Sequence, residues 1–333
     1  MAVNATPDFL DYEMFTQATI PPAGWSCDAL CVFILVSSII IFTLGILGNS
    51  LVMWIIGRRT KRTVTSSWYL SLAVSDFLFC TTVPLNCVYM TTGDWHFGHF
   101  MCKFLSVAIP LNMYSSVFLL VIISIDRCLS VISPVWSQNH RTLTRSSVII
   151  VLAWIFSVVL SLPTVMFATT QNRGDKTKCF KDYTSAAVSS KTMAVISFVV
   201  GLAVPLVVIV ICYSVIMQKL RTHRIIKSSK PFKVMTVVII TFAISWLPYH
   251  IFRLLEHTHQ FYSHSLLKTG IQITIILAYA NSFMNPILYS FMGQDFTNKF
   301  LKSICTRMDN ALHEDAHSTT AMSMSRIGDG QTI

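Results

Sequence analysis

Charged residues are scarce in this chain. Only 12% of its 333 residues are Asp, Glu, Lys or Arg, whereas 53% are apolar. An ordinary soluble domain contains about 25% charged residues. A chain of this composition cannot cover its own surface with polar groups, so an ordinary soluble protein is excluded and a lipid environment is indicated.

Seven long runs lack charged residues, apart from Asp76 in the second run. They are residues 29–56, 63–92, 104–125, 146–170, 192–218, 234–252 and 269–294. A helix rises about 1.5 Å per residue, so roughly 20 residues cross the hydrocarbon layer. Backbone groups in lipid must be satisfied within their own segment, which favours helices. The predicted fold class is an all-α membrane protein with a bundle of seven transmembrane helices.

Lys and Arg are absent from the first 28 residues, which contain four acidic residues instead. By contrast, 17 of the 25 Lys and Arg residues fall in alternate connections and the C-terminal tail. Basic residues concentrate on the cytoplasmic side. We therefore predict a multi-pass plasma-membrane protein with an extracellular N-terminus and a cytoplasmic C-terminus. The missing basic n-region argues against a cleaved signal peptide. The net charge of +10 then reflects topology and attraction to inner-leaflet lipid, and nucleic acid is not a predicted partner.

This topology divides the chain into four predicted parts. They are an extracellular tail (1–28), the bundle (29–292), a short amphipathic juxtamembrane helix (293–305) and a disordered cytoplasmic tail (306–333). Asn4 in Asn-Ala-Thr is a glycosylation acceptor pattern. Cys102 and Cys179 fall on the same outer side, where a disulfide persists; the alternative is two free thiols. Cys27 and Cys31 have no evident outer partner.

Polar residues inside the runs cost free energy and suggest function. They lie at mid-depth or in the inner half of four runs: Asn49, Asp76, Asn112, Ser116, Asn281, Ser282 and Asn285. One interpretation is a sodium site with Asp76 at its centre, because hard cations take carboxylate and carbonyl oxygens. The other is a hydrogen-bond network that holds the helices together. Prolines within five runs permit kinks: Pro84, Pro163, Pro205, Pro248 and Pro286.

Seven motifs occur in a characteristic order. They are GNSLV, SLAVSD, DRC, a lone Trp154, a lone Pro205, SWLPYH and NPILY. In this order and spacing they resemble the signatures of the rhodopsin-like G-protein-coupled receptors. The segments SVISPVWSQNHR, SSKPFKVM and ALHEDAHS resemble the chemoattractant peptide receptors, and most closely their chemerin-receptor branch. The resemblance covers nearly the whole chain and is weakest in the N-terminal tail and the second outer loop.

The resemblance implies roles for several residues. Arg127 is expected to pair with Asp126 at rest and to swing towards Tyr213 and Tyr289 on activation; the alternative is an interfacial anchor. The set implied for the G-protein switch is Asp126, Arg127, Tyr213, Asn285, Pro286 and Tyr289, and the implied activation relay is Phe242, Trp246 and Pro248. The implied partners are an inhibitory-type heterotrimeric G protein and arrestin.

The predicted ligand pocket has a basic mouth. Its candidate residues are Trp95, Lys181, Tyr249, His250, Arg253 and Lys268. Relatives place arginines where Ala168 and Ser197 stand here, so the agonist stays open among a chemerin-like protein, formyl peptides and a lipid mediator. Arg253 is the cation best placed to take a peptide carboxylate. Tyr12 lies in an acidic context that suits sulfation, although an unmodified tail explains it equally well.

Residues 293–305 carry apolar side chains four apart, which predicts a helix on the inner membrane surface with Cys305 as a palmitoylation candidate. Phosphorylation candidates in the tail are Ser318, Thr319, Thr320, Ser323 and Ser325. An odd number of helices and a single intramembrane acid argue against a transporter or channel. The seventh run has no Lys for a retinal Schiff base, and the chain lacks the usual hydrolase and phosphate-loop motifs, so no enzyme is predicted.

Overall fold

The computed structural model describes residues 29–58, 62–183, 189–223, 230–258 and 263–290. Seven long helical spans follow one another. They are Ala29–Arg58, Val64–Thr92, Gly98–Ile132, Leu143–Phe167, Ser190–His223 (three segments in continuity), Lys230–Leu255 and His264–Ser290. Over the described residues, 6 of the spans are long and apolar enough to cross a membrane, and the seventh span has 27 residues. The predicted fold class is confirmed. The predicted juxtamembrane helix and both tails lie outside the described residues.

Two of the five prolines interrupt their helices. The second span consists of Val64–Cys80 and Val83–Thr92, because Pro84 lacks the N–H that would bond to the Cys80 carbonyl. The hydroxyls of Thr81 and Thr82 donate to helix carbonyls at this break. In the fifth span the segment Val199–Ala203 widens into a π-helix just before Pro205. The other three predicted kink sites lie inside continuous helices.

The third span lies at the centre of the bundle and contacts the second, fourth and fifth spans. Small residues allow close packing: a Cβ on Gly201 of the fifth span would lie 2.6 Å from Met113 Cε of the third. Outward faces are apolar, as expected for contact with lipid. On the fourth span the exposed apolar residues include Val148, Val151, Leu152, Ile155, Phe156 and Val159.

The connection after the fourth span forms a β-hairpin, which the sequence analysis treated as a loop. Strand β1 (Ala168–Arg173) pairs antiparallel with β2 (Lys176–Lys181), and Gly174 takes the positive φ of the turn. Cys179 of β2 is bonded to Cys102, which confirms the predicted disulfide. Cys31 is also disulfide-bonded.

A second unpredicted element is the short helix Pro134–His140 between the third and fourth spans. It begins with Pro134, which suits the first turn of a helix. Asp126 and Cys102 are 24 residues apart on the third span, or about 36 Å at 1.5 Å per residue. We call the two ends of the bundle the Asp126 end and the disulfide end.

Candidate functional site

At the Asp126 end, one carboxylate binds two arginines. Arg141, which follows the short helix, donates from Nε to Asp126 Oδ1 at 2.8 Å and from Nη2 to Oδ2 at 2.9 Å. Arg127 Nε is farther from Asp126 Oδ2, at 3.8 Å. The Thr65 hydroxyl accepts from both arginines at 2.6 Å. We call Thr65, Asp126, Arg127 and Arg141 the arginine clamp.

The clamp refines the resting pair expected from the sequence. Asp126 does pair with Arg127, but its closest and bidentate partner is Arg141, and charge-assisted fork geometry makes such pairs strong. Sequence reasoning missed both Arg141 and Thr65. Arg141 is 15 residues away along the chain, and only the fold of the short helix returns it to the third span. No sequence pattern signalled this contact.

The other residues of the expected switch are only partly described. Tyr213 places its hydroxyl in a buried position on the fifth span. Asn285 is buried within the seventh span and Pro286 lies inside the same helix. The side chain of Tyr289 lies outside the described residues. The predicted swing of Arg127 towards the two tyrosines therefore stays a prediction.

Halfway along the bundle the predicted polar residues meet around Asp76, which is fully buried. Asp76 Oδ1 accepts from Asn112 Nδ2 at 3.0 Å, and Oδ2 accepts from Asn285 Nδ2 at 2.7 Å. Asn49 Nδ2 donates to the Ser282 carbonyl at 3.0 Å. The second, third and seventh spans thus share one hydrogen-bond network, to which Asn49 links the first.

The same region also contains oxygen atoms that could bind a cation. Within the described part of the chain, Asn112 Oδ1 and Ser116 Oγ are buried without a hydrogen-bond partner. A carboxylate with neighbouring amide and hydroxyl oxygens is a donor set that suits a hard monovalent cation. The donor chemistry around Asp76 therefore fits sodium, and the sodium site stays a prediction. Asn281 and Ser282, which are adjacent to each other in sequence, are buried on the seventh span.

The predicted relay forms a continuous aromatic column in the sixth span. Phe242 and Trp246 are fully buried, with ring centroids 6.1 Å apart. Trp246 meets Tyr249 edge to face at 5.7 Å, and Tyr249 contacts His250 at 5.6 Å. Pro248 lies inside this helix and lacks the N–H that would bond to the Ile244 carbonyl, which removes one backbone hydrogen bond from this turn.

At the disulfide end, Arg253 forms an ion pair with Glu256, three residues further along the chain. The Glu256 side chain is 1% exposed and that of Arg253 is 13% exposed. Lys181 of strand β2 shares this region. Burial lowers the pKa of Lys181 to about 7; Arg253 lowers it further, whereas Glu256 opposes the shift. We call Lys181, Arg253 and Glu256 the mouth cluster.

Glu256 was missed by the sequence analysis although a signal was available. An acid three residues after Arg253 lies on the same helical face and within reach of its side chain. Arg253 is thus already paired with a carboxylate of the protein itself. The side chain of Lys268, the other predicted cation near this position, lies outside the described residues.

Trp95, another predicted pocket residue, packs beside the disulfide. It is 2% exposed and packs with Tyr89, Cys102 and Cys179. Its indole Nε1 donates to the Gly98 carbonyl, and its backbone N–H donates to Thr177 of β2. The predicted pocket residue thus anchors the hairpin beneath the disulfide. Two further lysines of the hairpin bind backbone carbonyls at the end of the second span: Lys176 that of Thr92 and Lys178 that of Gly93.

Predicted modification sites lie outside the described residues. These are Asn4, Tyr12, Cys305, Ser318, Thr319, Thr320, Ser323 and Ser325. Each stays a prediction.

Comparison with known proteins identifies the family. Residues 48–289 match the family model of the 7 transmembrane receptor (rhodopsin family). The chain belongs to this family. Its members are receptors, so the prediction that the chain is not an enzyme is confirmed.

Several curated proteins are similar over most of the chain. Chemerin-like receptor 1 of Sus scrofa is 41% identical over 307 residues, covering 86% of this chain and 84% of the relative. The Homo sapiens protein of the same name is 39% identical over 332 residues, covering 94% and 88%. N-formyl peptide receptor 2 of Homo sapiens is 37% identical over 338 residues, covering 96% and 95%. The resemblance to the chemerin-receptor branch is confirmed.

Proposed function

We propose that this receptor binds an extracellular peptide or protein, chemerin-like in character, at the disulfide end and activates a heterotrimeric G protein at the Asp126 end. The relatives are named for chemerin and for formyl peptides, which supports a peptide ligand. The excess of Lys and Arg in the connections at the Asp126 end supports a cytoplasmic position for it in the plasma membrane.

The mouth cluster is the observation that carries the ligand proposal. Arg253 binds the Glu256 carboxylate. A peptide with a free C-terminus brings a second carboxylate of the same chemistry, which takes the guanidinium fork and releases Glu256. Lys181 and Lys268 are the other proposed cations. The energetic cost of displacing Glu256 makes this step selective for ligands that supply the replacement charge.

The proposed path to the Asp126 end runs through the sixth span. Ligand contact with Tyr249 and His250 moves Trp246 and Phe242, and the helix pivots at Pro248. Asp76, Asn112, Ser116, Asn281 and Ser282 would hold a sodium ion, which would stabilise the resting state, because a ligand that prefers one state shifts the equilibrium by its differential affinity. At the Asp126 end, Arg127 leaves the clamp and meets Tyr213 and Tyr289 beside Asn285 and Pro286.

The proposed cytoplasmic partners are an inhibitory-type G protein and arrestin. Phosphates on the hydroxyl-rich tail would create an anionic site for the basic surface of arrestin. Palmitoylation of Cys305 would attach the juxtamembrane segment to membrane lipid.

Agonist-dependent nucleotide exchange tests the proposal. The full-length receptor in lipid nanodiscs is mixed with an inhibitory G protein and challenged with chemerin C-terminal peptides, formyl peptides and lipid mediators. Exchange driven by the free-acid chemerin peptides, and lost on their amidation, is the expected result. Exchange driven only by formyl peptides or by lipids would contradict the chemerin-like ligand class but would still support activation of a G protein. The absence of exchange with every ligand would contradict the G-protein proposal.

A further inference from the structure

A groove opens at the Asp126 end, between the second, third and fourth spans and the short helix Pro134–His140. Its volume is about 330 Å³, which lies within the range of about 300–1,000 Å³ that is usual for small-molecule sites. It is separate from the aromatic column, the Asp76 cluster and the mouth cluster. We call it the clamp groove, because Asp126 and Arg141 line it.

One part of the clamp groove is apolar and open to the outside of the bundle. Ile125, Leu129, Trp136 and Ile149 line it and are also exposed. In a membrane protein, exposed apolar side chains at this position contact hydrocarbon rather than water. An occupant that enters from the bilayer therefore needs an apolar chain.

The other part of the clamp groove carries an uncompensated positive charge. Arg141 is committed to Asp126, so these two lining charges cancel. Arg145 is exposed and donates from Nη1 to the His140 carbonyl. A guanidinium has five N–H donors, so the same fork can also engage an anion. The fourth span begins at Leu143 with no acidic residue in its first turn, and its N-terminal dipole adds to the positive field.

We propose that the clamp groove binds an anionic phospholipid, with an acyl chain against Ile125, Leu129 and Ile149 and the phosphate on Arg145. Charge complementarity favours an anionic headgroup over a zwitterionic one, because surface potentials attract basic residues to anionic lipids. The bound lipid touches the arginine clamp directly and makes clamp geometry sensitive to leaflet composition. The orientation proposed above names the leaflet as cytoplasmic, but binding to the groove does not depend on it.

Native mass spectrometry of the full-length receptor in detergent tests the site. Phosphatidylserine and phosphatidylcholine compete for the receptor, and the bound fraction of each is measured. Preferential retention of phosphatidylserine is expected. Arg145→Gln should weaken that binding about fivefold, whereas Arg58→Gln, an exposed arginine at the same end, should leave it unchanged. Thermal unfolding of each variant checks that the fold is intact.

A second pair of variants tests the apolar part. Ile149→Trp fills the clamp groove and should abolish preferential retention, whereas Val148→Trp, exposed on the same helix outside the groove lining, should preserve it. Equal losses in the two arginine variants would mean diffuse surface attraction and would overturn the proposal. Preferential retention of phosphatidylserine by Ile149→Trp would place the lipid outside the clamp groove and would overturn the proposal. Competition by inorganic phosphate as effective as that by phosphatidylserine would mean a soluble anion site instead, and would also overturn it.

Discussion

The two ends of the bundle both pair arginine with a carboxylate, but in different surroundings. In the arginine clamp, Asp126 is 11% exposed and is shared by Arg127 and Arg141, which are 22% and 29% exposed. In the mouth cluster, Glu256 is 1% exposed and Arg253 is 13% exposed. Arg127 can leave Asp126 at little cost because Arg141 keeps that carboxylate paired, whereas a buried carboxylate left without its partner costs several kcal/mol. The clamp therefore suits rapid switching, and the mouth cluster suits selective replacement by a ligand.

Arg127→Ala should have the largest effect, because it removes the side chain that is proposed to leave the arginine clamp on activation. We expect G-protein activation to be lost while surface expression and agonist affinity are retained, since the mouth cluster lies at the opposite end. Agonist-driven nucleotide exchange and radioligand binding measure the two properties. Arg58→Ala is the matched control at the same end. Undiminished exchange in Arg127→Ala would remove this residue from the switch.

Arg253→Ala tests the mouth cluster. Hydrogen bonds to charged groups contribute about 1.5–3 kcal/mol net, so a free-acid peptide should bind roughly 10-fold to 150-fold more weakly. The amidated peptide should be weak on the native receptor and lose little more on the variant. The test needs four affinity measurements, one for each of the two peptides on each of the two receptors. Strictly additive losses would show that Arg253 does not bind the carboxylate and would favour a packing role.

Glu256→Gln is the complementary change in the same cluster. It removes the competing charge and keeps the size of the side chain. Affinity for the free-acid peptide should rise, by about 10-fold, while affinity for the amidated peptide should change little. Unchanged affinity for both peptides would mean that Glu256 stays in place when the ligand binds.

Lys181 gives ligand binding at the mouth cluster a pH dependence. Its pKa of about 7 means that the charged form predominates below pH 7 and the neutral form above it. A carboxylate ligand prefers the charged form, so affinity should fall about fivefold between roughly pH 6 and pH 8.5. Lys181→Arg stays charged across this range and should flatten the curve. Parallel curves for the two receptors would contradict the role of Lys181.

Asp76→Asn tests the region between the two ends and should have the smallest effect. If sodium stabilises the resting state, agonist affinity on the native receptor should decrease severalfold as sodium replaces a bulky organic cation at constant ionic strength. The variant should show no such dependence. Identical sodium curves would leave Asp76 as a member of the hydrogen-bond network alone.

The two ends also differ in how far the sequence predicts them. The pairing of Asp126 with Arg127 was predicted from the resemblance to the receptor family, and that of Cys102 with Cys179 from their shared outer side. Arg141 was not predicted, since its contact with Asp126 depends on how the short helix brings the chain back to the third span. Glu256 was accessible through its spacing from Arg253. Trp95 was assigned to the pocket, and only packing shows that it supports the hairpin.

The sequence alone determined the seven spans, the buried position of Asp76 and the family, because charge-free length and short ordered motifs are local properties of the chain. The tertiary structure decided which charges meet. Arg141 reaches Asp126, Asn285 reaches Asp76 and Lys181 reaches the Arg253 region across separate elements. Such contacts depend on how helices pack and where loops return, and neither is encoded in the spacing of residues along one segment.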